Sequence, residues 1–166
     1  MAEVDVAMQT STRNDDPAST PLAAECRALA ARVKKASRAM ALAGGAAKNA
    51  WLKASADALV ARADEIIAAN ARDVEAAPAL GLNAAAVDRL TLNPKRIGEM
   101  ARSLIELAGQ TDPIGEVVRS SRRPNGLEVT QVRVPLGVIF MIYESRPNVT
   151  VDAAAICIKS GNAAIL

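Results

Sequence analysis

The sequence has 166 residues, 51% of them hydrophobic, and 20 Lys and Arg against 18 Asp and Glu give a formal net charge of +2. This length and hydrophobic content allow a core of ordinary size, which excludes a disordered chain. Charge so close to balance predicts no polyanionic partner, and three aromatic residues offer little to stack on bases. We therefore expect no nucleic-acid binding.

The chain has two cysteines, Cys26 and Cys157, and no histidine. This excludes the common zinc spacings and a His-assisted nucleophile within the chain, so we expect no metal site. Residues 1–20 are polar and predict a disordered tail rather than a signal peptide. No apolar run approaches the roughly 20 residues that cross a bilayer. We expect a cytoplasmic protein without membrane contact.

Residues 21–111 predict a helical segment. Thr20 and Pro21 suit the N-cap and first position of a helix. Apolar residues then recur at steps of four and three and form one stripe: Leu22, Cys26, Leu29, Val33, Ala36 and Met40. The stripe is expected to be buried, which makes Cys26 a small core residue rather than a reactive thiol.

Three further helices are predicted before residue 111. One runs from about Ala46 to Ala77 and stops at Pro78 and Gly81. Its inward face is Leu52, Ala56, Leu59, Ala63 and Ile67. Asn83 caps a short helix to Leu90, and Asn93 with Pro94 opens a fourth helix to Gly109. The buried stripe of that fourth helix is Ile97, Ala101, Leu104 and Ala108. Charges such as Lys34, Lys35 and Arg62 are expected to be solvated.

The hydrophobic period changes in residues 112–134. Pro124-Asn125-Gly126 is a turn signal, and the β-branched residues that follow have a period near two. A strand or hairpin arm is therefore predicted from Leu127 to Val134.

Residues 135–166 predict the start of a parallel sheet. The run Gly137–Tyr143 shows no alternation, which favours a strand covered on both faces. A loop Glu144–Asn148, a helix Val149–Lys159, a Ser160-Gly161-Asn162 cap and an apolar "AAIL" strand follow. This is a βαβ unit. Two such strands are hard to stabilise alone, so we interpret the chain as the front portion of a longer α/β protein.

The loop Glu144–Asn148 is the predicted ligand position, because ligands of open α/β sheets bind beyond the carboxyl ends of the strands. Arg146 can pair with a carboxylate or phosphate, and the Asn148 amide can donate to a developing oxyanion. The alternative is a structural loop, with Arg146 paired to an acid and Asn148 capping the next helix. No GxGxxG motif follows, so the residues alone do not predict nucleotide binding. Cys157 lies among apolar helix residues and is expected to be structural and inert.

Residues 133–166, "RVPLGVIFMIYESRPNVTVDAAAICIKSGNAAIL", resemble the segment that opens the nucleotide-binding domain of the gamma-glutamyl phosphate reductase (glutamate-5-semialdehyde dehydrogenase) family, within the aldehyde dehydrogenase superfamily. Residues 69–77, 87–101 and 112–118 also resemble that family. The resemblance covers residues 23–166.

The resemblance implies an α/β, aldehyde dehydrogenase-like fold: N-terminal helices, a β arm for oligomer contact and the incomplete start of a Rossmann-like parallel sheet. It implies NADPH-dependent reduction of L-glutamyl 5-phosphate to L-glutamate 5-semialdehyde with phosphate release, in proline biosynthesis. The partners implied are this small-molecule substrate, NADP(H) and, at full length, further copies of the chain. The isolated chain is expected to be inactive.

The mechanism implied by the resemblance is covalent and uses a cysteine beyond residue 166, so neither Cys26 nor Cys157 inherits that role. Tyr143, Glu144 and Ser145 belong to the loop beside the nicotinamide. The resemblance also implies that Arg146 helps to hold anionic groups of the substrate and that Asn148 is the oxyanion donor. Two alternatives remain: another aldehyde or acyl-phosphate dehydrogenase of the superfamily, or a helical interaction module that adds strands to a partner's sheet.

Overall fold

The computed structural model describes residues 20–144 and 146–166. Residues 1–19 of the predicted disordered tail, which was predicted to span residues 1–20, and the site residue Ser145 lie outside the described residues. The elements in chain order are α1 (Pro21–Leu42), α2 (Gly45–Ala61), α3 (Ala63–Ala76), a 3-10 turn (Ala77–Leu80), α4 (Ala84–Leu90), α5 (Pro94–Gly109), β1 (Val117–Arg122), β2 (Glu128–Val132), β3 (Val138–Phe140), α6 (Pro147–Lys159) and β4 (Ala163–Ile165). The chain divides within α1 into two units, residues 1–32 and 33–166.

In the first unit, α1 begins as predicted. The hydroxyl of Thr20 accepts a hydrogen bond from the Ala23 N–H at 3.2 Å, the geometry of an N-cap. The prediction that the apolar stripe is buried was wrong here, since Leu22 and Cys26 are exposed. An apolar stripe shows which side chains share a helix face, but it does not show what covers that face. No other described helix or strand belongs to this unit, so nothing within the unit buries the stripe.

In the second unit the rest of α1 also departs from the predicted stripe. Ser37 is the buried residue of the helix, and its hydroxyl donates to the Lys34 carbonyl at 2.9 Å. Val33 and Met40 are half-buried, whereas Ala36 is exposed. Because the Ser37 hydroxyl is satisfied within its own helix turn, a small polar residue can be buried there.

The predicted single helix from Ala46 to Ala77 was wrong in one respect: it is two helices, α2 and α3. The break is at Arg62, whose φ of −108° and ψ of 21° leave the helical region. The carboxylate of Glu65 accepts two hydrogen bonds from the Arg62 guanidinium, at 2.8 and 3.0 Å, across the start of α3. The end of α3 is as predicted, because Gly81 adopts the left-handed conformation after the 3-10 turn.

The core is formed by α2, α5 and α6. Leu52 and Leu104 are its largest members, with 0% and 2% exposure. The others are mainly alanines: Ala56, Ala101, Ala108 and Ala155. Small side chains allow these helices to approach closely, so few large residues are needed to fill the interior. The predicted stripe of α5 is confirmed, since Ile97, Ala101, Leu104 and Ala108 are all buried.

Residues 117–132 form an antiparallel hairpin in which Arg122 pairs with Glu128 and Val117 with Val132. This confirms the predicted arm and extends it to an earlier strand. The turn is closed by Gly126, at φ +86°, and by a hydrogen bond from the Leu127 N–H to Asn125 Oδ1 at 3.1 Å. Every residue of the hairpin strands except Ser121 is exposed.

Residues 138–165 form the predicted βαβ unit, with β3 and β4 parallel and α6 between them. The Gly161 cap is confirmed at φ +71°, and the Asn162 N–H donates to the Cys157 carbonyl at 2.8 Å. Asn162 Oδ1 also accepts from the Gly137 N–H at 2.7 Å, which joins the beginnings of the two strands.

The first strand is shorter and more exposed than predicted. It spans Val138–Phe140 instead of Gly137–Tyr143, and the prediction that both of its faces are covered was wrong. Phe140 is 66% exposed and Ile142 is 85% exposed. Within the described residues β3 pairs with β4 alone, so its apolar side chains lack the neighbours that cover a strand inside a larger parallel sheet.

Candidate functional site

The candidate site begins where β3 ends. Residues 141–144 and 146 follow the strand without regular structure, and α6 starts at Pro147. The loop therefore lies at the carboxyl end of a parallel strand, where α/β proteins bind their ligands. Asn148, predicted in the loop, belongs to the first turn of α6.

Tyr143 fixes this loop to the helix that follows it. Its hydroxyl lies 2.6 Å from the Thr150 hydroxyl, and its side chain is half-buried. Glu144 is exposed. The predicted cofactor loop is therefore held at Tyr143, one residue before the exposed Glu144.

A groove of about 390 Å³ lies beside the loop and has Arg146 and Asn148 in its wall. Its volume is in the range of small-molecule sites. The other lining residues come from α4, α5, α6 and the segment between α4 and α5: Arg89, Leu92, Arg96, Glu99, Met100, Ser103 and Asp152. The structure thus brings Arg146 and Asn148 together in one concave surface, whereas Tyr143 and Glu144 lie outside its lining.

Arg96 forms a fixed part of the groove wall. Its guanidinium donates to the Asp88 carboxylate at 3.0 Å, to the Thr91 carbonyl at 2.6 Å and to the Asp88 carbonyl. Its own N–H donates to the Asn93 side chain, which caps α5. Arg96 therefore ties the end of α4 to the beginning of α5, and most of its donors are already used.

Asn70 on α3 supports the same wall from behind. It is buried, its Nδ2 donates to the Leu90 carbonyl at 3.0 Å, and its Oδ1 accepts from the Leu92 N–H at 2.7 Å. A side-chain amide in this position replaces a pair of backbone hydrogen bonds. Asn70 therefore sets the path of the chain that presents Leu92 to the groove.

The alternative structural roles of the loop residues are not observed. Arg146 has no ion pair within the part of the chain that the structure describes. Asn148 does not cap α6, since the N-cap position is Arg146 and no side chain makes a capping hydrogen bond. Both side chains are exposed at the groove and are free to contact a ligand.

The cysteines do not contribute to this site. Cys157 is buried on α6, and burial raises the pKa of its thiol. A buried, protonated thiol is a poor nucleophile, which supports the structural role predicted for Cys157. The exposed Cys26 is no core residue, and neither cysteine lines the groove.

Sequence patterns did not identify Arg89, Arg96, Glu99 or Asp152 as site residues. Three of them lie 47 to 57 residues before Arg146 in the chain, so packing of α4 and α5 against the loop decides their position. Asp152 carried a local signal, because it follows Asn148 by four residues and therefore shares its helix face. Among the described residues no cluster of potential metal ligands occurs, and no helix is long and apolar enough to cross a membrane.

Helices followed by a hairpin and a parallel βαβ unit define an α/β protein, with a charged groove at the strand end as its candidate ligand site. No family model matches the chain. It is 59% identical over 150 residues to gamma-glutamyl phosphate reductase of Anaeromyxobacter sp. (strain Fw109-5), a match that covers 90% of this chain and 35% of that protein. It is 52% identical over 160 residues to the Rhodopirellula baltica enzyme of the same name, covering 96% and 37%.

Two solved structures agree with these matches. Gamma-glutamyl phosphate reductase from Thermotoga maritima superposes with a TM-score of 0.77 at 44% identity, covering 81% of this chain and 33% of that one. The Saccharomyces cerevisiae enzyme gives a TM-score of 0.79 at 34% identity, covering 84% and 35%. The chain is thus a homologue of part of gamma-glutamyl phosphate reductase, and it spans about a third of the length of these relatives. The superpositions on these two structures confirm the expected aldehyde dehydrogenase-like α/β fold.

Proposed function

We propose that this chain is the front part of an NADP(H)-dependent oxidoreductase that reduces L-glutamyl 5-phosphate to L-glutamate 5-semialdehyde with release of phosphate, in proline biosynthesis. The observation that carries the proposal is the 59% identity over 150 residues to a protein named gamma-glutamyl phosphate reductase. Identity at this level, together with a shared fold, supports a shared reaction. A cytoplasmic location fits such a biosynthetic enzyme.

Arg146 is proposed to bind an anionic group of the substrate. Its guanidinium is exposed to the groove and has no competing ion pair among the described residues. The planar guanidinium can donate two parallel hydrogen bonds to a carboxylate or phosphate. Arg146 would therefore orient the substrate as well as attract it.

Asn148 is proposed to donate a hydrogen bond to the carbonyl oxygen that gains negative charge during the reaction. Its side chain lines the groove beside Arg146, on the first turn of α6. An amide that is already oriented when charge develops stabilises the transition state more than the ground state. Neither cysteine of the chain reaches the groove, so the nucleophilic thiol is proposed to come from a part of the enzyme outside these 166 residues.

The loop Tyr143, Glu144 and Ser145 is proposed to lie beside the nicotinamide of NADP(H). The loop fits such a group because it is at the carboxyl end of β3, next to the parallel strand β4. When bound, NADP(H) supplies the hydride. The chain itself positions the ring: the hydrogen bond between the Tyr143 and Thr150 hydroxyls holds the loop against α6 and limits where a ring can lie.

The hairpin β1–β2 is proposed to be an arm that contacts a second copy of the full-length enzyme. Its apolar side chains Val117, Val118, Val129 and Val132 are all exposed in this chain. Exposed apolar side chains on a projecting hairpin are suited to an interface between subunits.

The test uses the complete reading frame that contains this chain. With L-glutamate 5-semialdehyde and phosphate, the complete enzyme is expected to reduce NADP⁺ in a phosphate-dependent reaction, while the 166-residue chain alone is expected to have no activity. Arg146→Lys should raise the KM for substrate by about tenfold. Arg72→Lys, exposed on α3 and outside the groove, is the matched control and should leave KM unchanged.

Three results would contradict the proposal. Absence of phosphate-dependent NADP⁺ reduction by the complete enzyme would refute the reaction. A preference for another aldehyde would support a different dehydrogenase of the superfamily. Cooperative folding of the isolated chain with capture of a sheet-containing partner would support the interaction module instead.

A further inference from the structure

We propose that Asp152, with Glu99, binds the α-ammonium group of the substrate and thereby makes the groove selective for amino acids over simple dicarboxylates. This inference rests on the proposed function, because it assigns to the same groove the recognition of an amino-acid substrate. The residues concerned are the two acidic side chains of the groove, which are opposite in charge to the arginines already described.

The groove contains charges of both signs. Arg89, Arg96 and Arg146 line it together with two carboxylates, those of Glu99 and Asp152. A site that binds only phosphate or carboxylate groups gains nothing from acidic side chains, because like charges repel the ligand. A ligand that carries both anionic groups and an ammonium group can use all of them.

The carboxylate oxygens of Asp152 are available to accept hydrogen bonds from a ligand. It is half-buried, and within the described part of the chain no hydrogen bond or ion pair reaches its carboxylate. A half-buried carboxylate is a costly group to leave unpaired, so a cationic ligand group has a favourable place to bind. Glu99 is nearly as available, since its one ion pair with another described residue is with Lys95 at 4.0 Å, and both side chains are largely exposed.

The three arginines of the groove differ in whether they already have partners within the protein. The guanidinium of Arg96 is occupied by Asp88 and by two carbonyl groups. Arg89 and Arg146 have no ion pair among the residues that the structure describes. These two arginines are therefore available to the anionic groups of a ligand, while Asp152 and Glu99 are available to its ammonium group.

The positions along α6 fit this division. Asn148 and Asp152 are four residues apart, one helical turn, which places them on the same face about 6 Å apart along the axis. The proposed oxyanion donor and the proposed ammonium acceptor thus lie one turn apart along α6 in the wall of one groove. A ligand with a reacting carbonyl at one end and an amino group at the other can contact both.

The experiment compares three ligands by NMR titration of the ¹⁵N-labelled chain: L-glutamate, glutarate, which lacks the amino group, and N-acetyl-L-glutamate, in which the amino group is uncharged. The unchanged chain is expected to bind L-glutamate about tenfold more tightly than the other two, the effect of one charged hydrogen bond. Asp152→Asn should remove this preference and leave glutarate binding unchanged. Glu99→Gln should reduce the preference by a smaller factor.

Asp73→Asn is the matched control, since it also removes one negative charge but lies exposed on α3, outside the groove. It should leave the preference intact. Equal affinity for L-glutamate and glutarate in the unchanged chain, no binding of either, or a preference that survives Asp152→Asn would each overturn the inference.

A separate assay distinguishes this inference from the proposed function. In the complete enzyme, Asp152→Asn should raise the KM for L-glutamate 5-semialdehyde about tenfold with little change in kcat. If the enzyme lacks the proposed activity but the chain keeps an Asp152-dependent preference for L-glutamate, the reaction is wrong and the amino-acid site stands. If the enzyme is active and its KM is unaffected by Asp152→Asn, the reaction stands and this inference fails.

Discussion

Lys48 Nζ lies 2.6 Å from one carboxylate oxygen of Asp112 and 2.8 Å from the other, although the two residues are 64 positions apart in the sequence. The Lys48 side chain is only 2% exposed, whereas that of Asp112 is 28% exposed. The pair joins the first turn of α2 to the segment that follows α5. Asp112 also accepts a hydrogen bond from the Ile114 N–H at 3.0 Å, so its carboxylate is held from both sides.

Removing Asp112 should destabilise the fold strongly. Asp112→Ala leaves the Lys48 ammonium buried without its partner, and an uncompensated buried charge costs about 3–5 kcal/mol. The free energy of unfolding, measured by urea denaturation, should fall by this amount. Glu65→Ala is the control, because it breaks an ion pair with Arg62 in which both side chains are about two-thirds exposed and should cost less than ~1 kcal/mol. Similar losses in the two variants would contradict a special role for Asp112.

The same pair predicts a loss of stability in acid. Burial acts to raise the pKa of Asp112, but hydrogen bonds from Lys48 and the Ile114 N–H, with the charges of Lys48 and Lys159, hold the pKa below its ordinary value. The unfolded chain therefore binds the proton more readily, so the contribution of Asp112 is fully present above the unfolded pKa and is lost as pH falls through the folded value. The free energy of unfolding should drop below about pH 4. Asp112→Asn should flatten this part of the profile, and an unchanged profile would rule out Asp112 as its source.

The two cysteines should differ sharply in reactivity. Cys26 is exposed on α1, whereas Cys157 is buried and its thiol pKa is raised by burial. With a thiol reagent at neutral pH, one equivalent should react rapidly and the second only after urea is added. Cys26→Ser should remove the rapid phase and Cys157→Ser the slow one. Rapid reaction of both thiols in the folded chain would show that α6 does not protect Cys157.

Local signals in the sequence predicted most of the elements. Asn83 and Asn93 each accept a backbone hydrogen bond at 2.9 Å and cap the helices that they were predicted to open. The turn at Asn125-Gly126 and the cap at Gly161 also form as expected. These features depend on residues two to five positions apart, which is why the sequence alone is sufficient for them.

Features that depend on distant partners were not predictable. Lys159 was expected on a helix but not in the interior, where its Nζ donates to Asn49 Oδ1 and to the Gln110 carbonyl, each at 2.7 Å. The exposure of Phe140 was missed because an apolar run predicts burial without showing what provides it. In the groove, Arg146 and Asn148 were predicted because they lie in the loop that directly follows an apolar strand in the sequence. Arg89 and Glu99 were missed because only helix packing brings them there.

Two glycine substitutions should separate backbone strain from packing. Gly161 and Gly126 both have positive φ, +71° and +86°, so alanine at either should cost about 1–2 kcal/mol for the left-handed backbone. At Gly161 a new Cβ would also lie 2.9 Å from Pro135 Cγ, whereas at Gly126 no atom lies within 4 Å. Gly161→Ala should therefore lower the free energy of unfolding by about 1–3 kcal/mol more than Gly126→Ala in urea denaturation. Equal losses would mean that the Pro135 ring moves aside freely and that the turn between α6 and β4 is less tightly packed than the structure indicates.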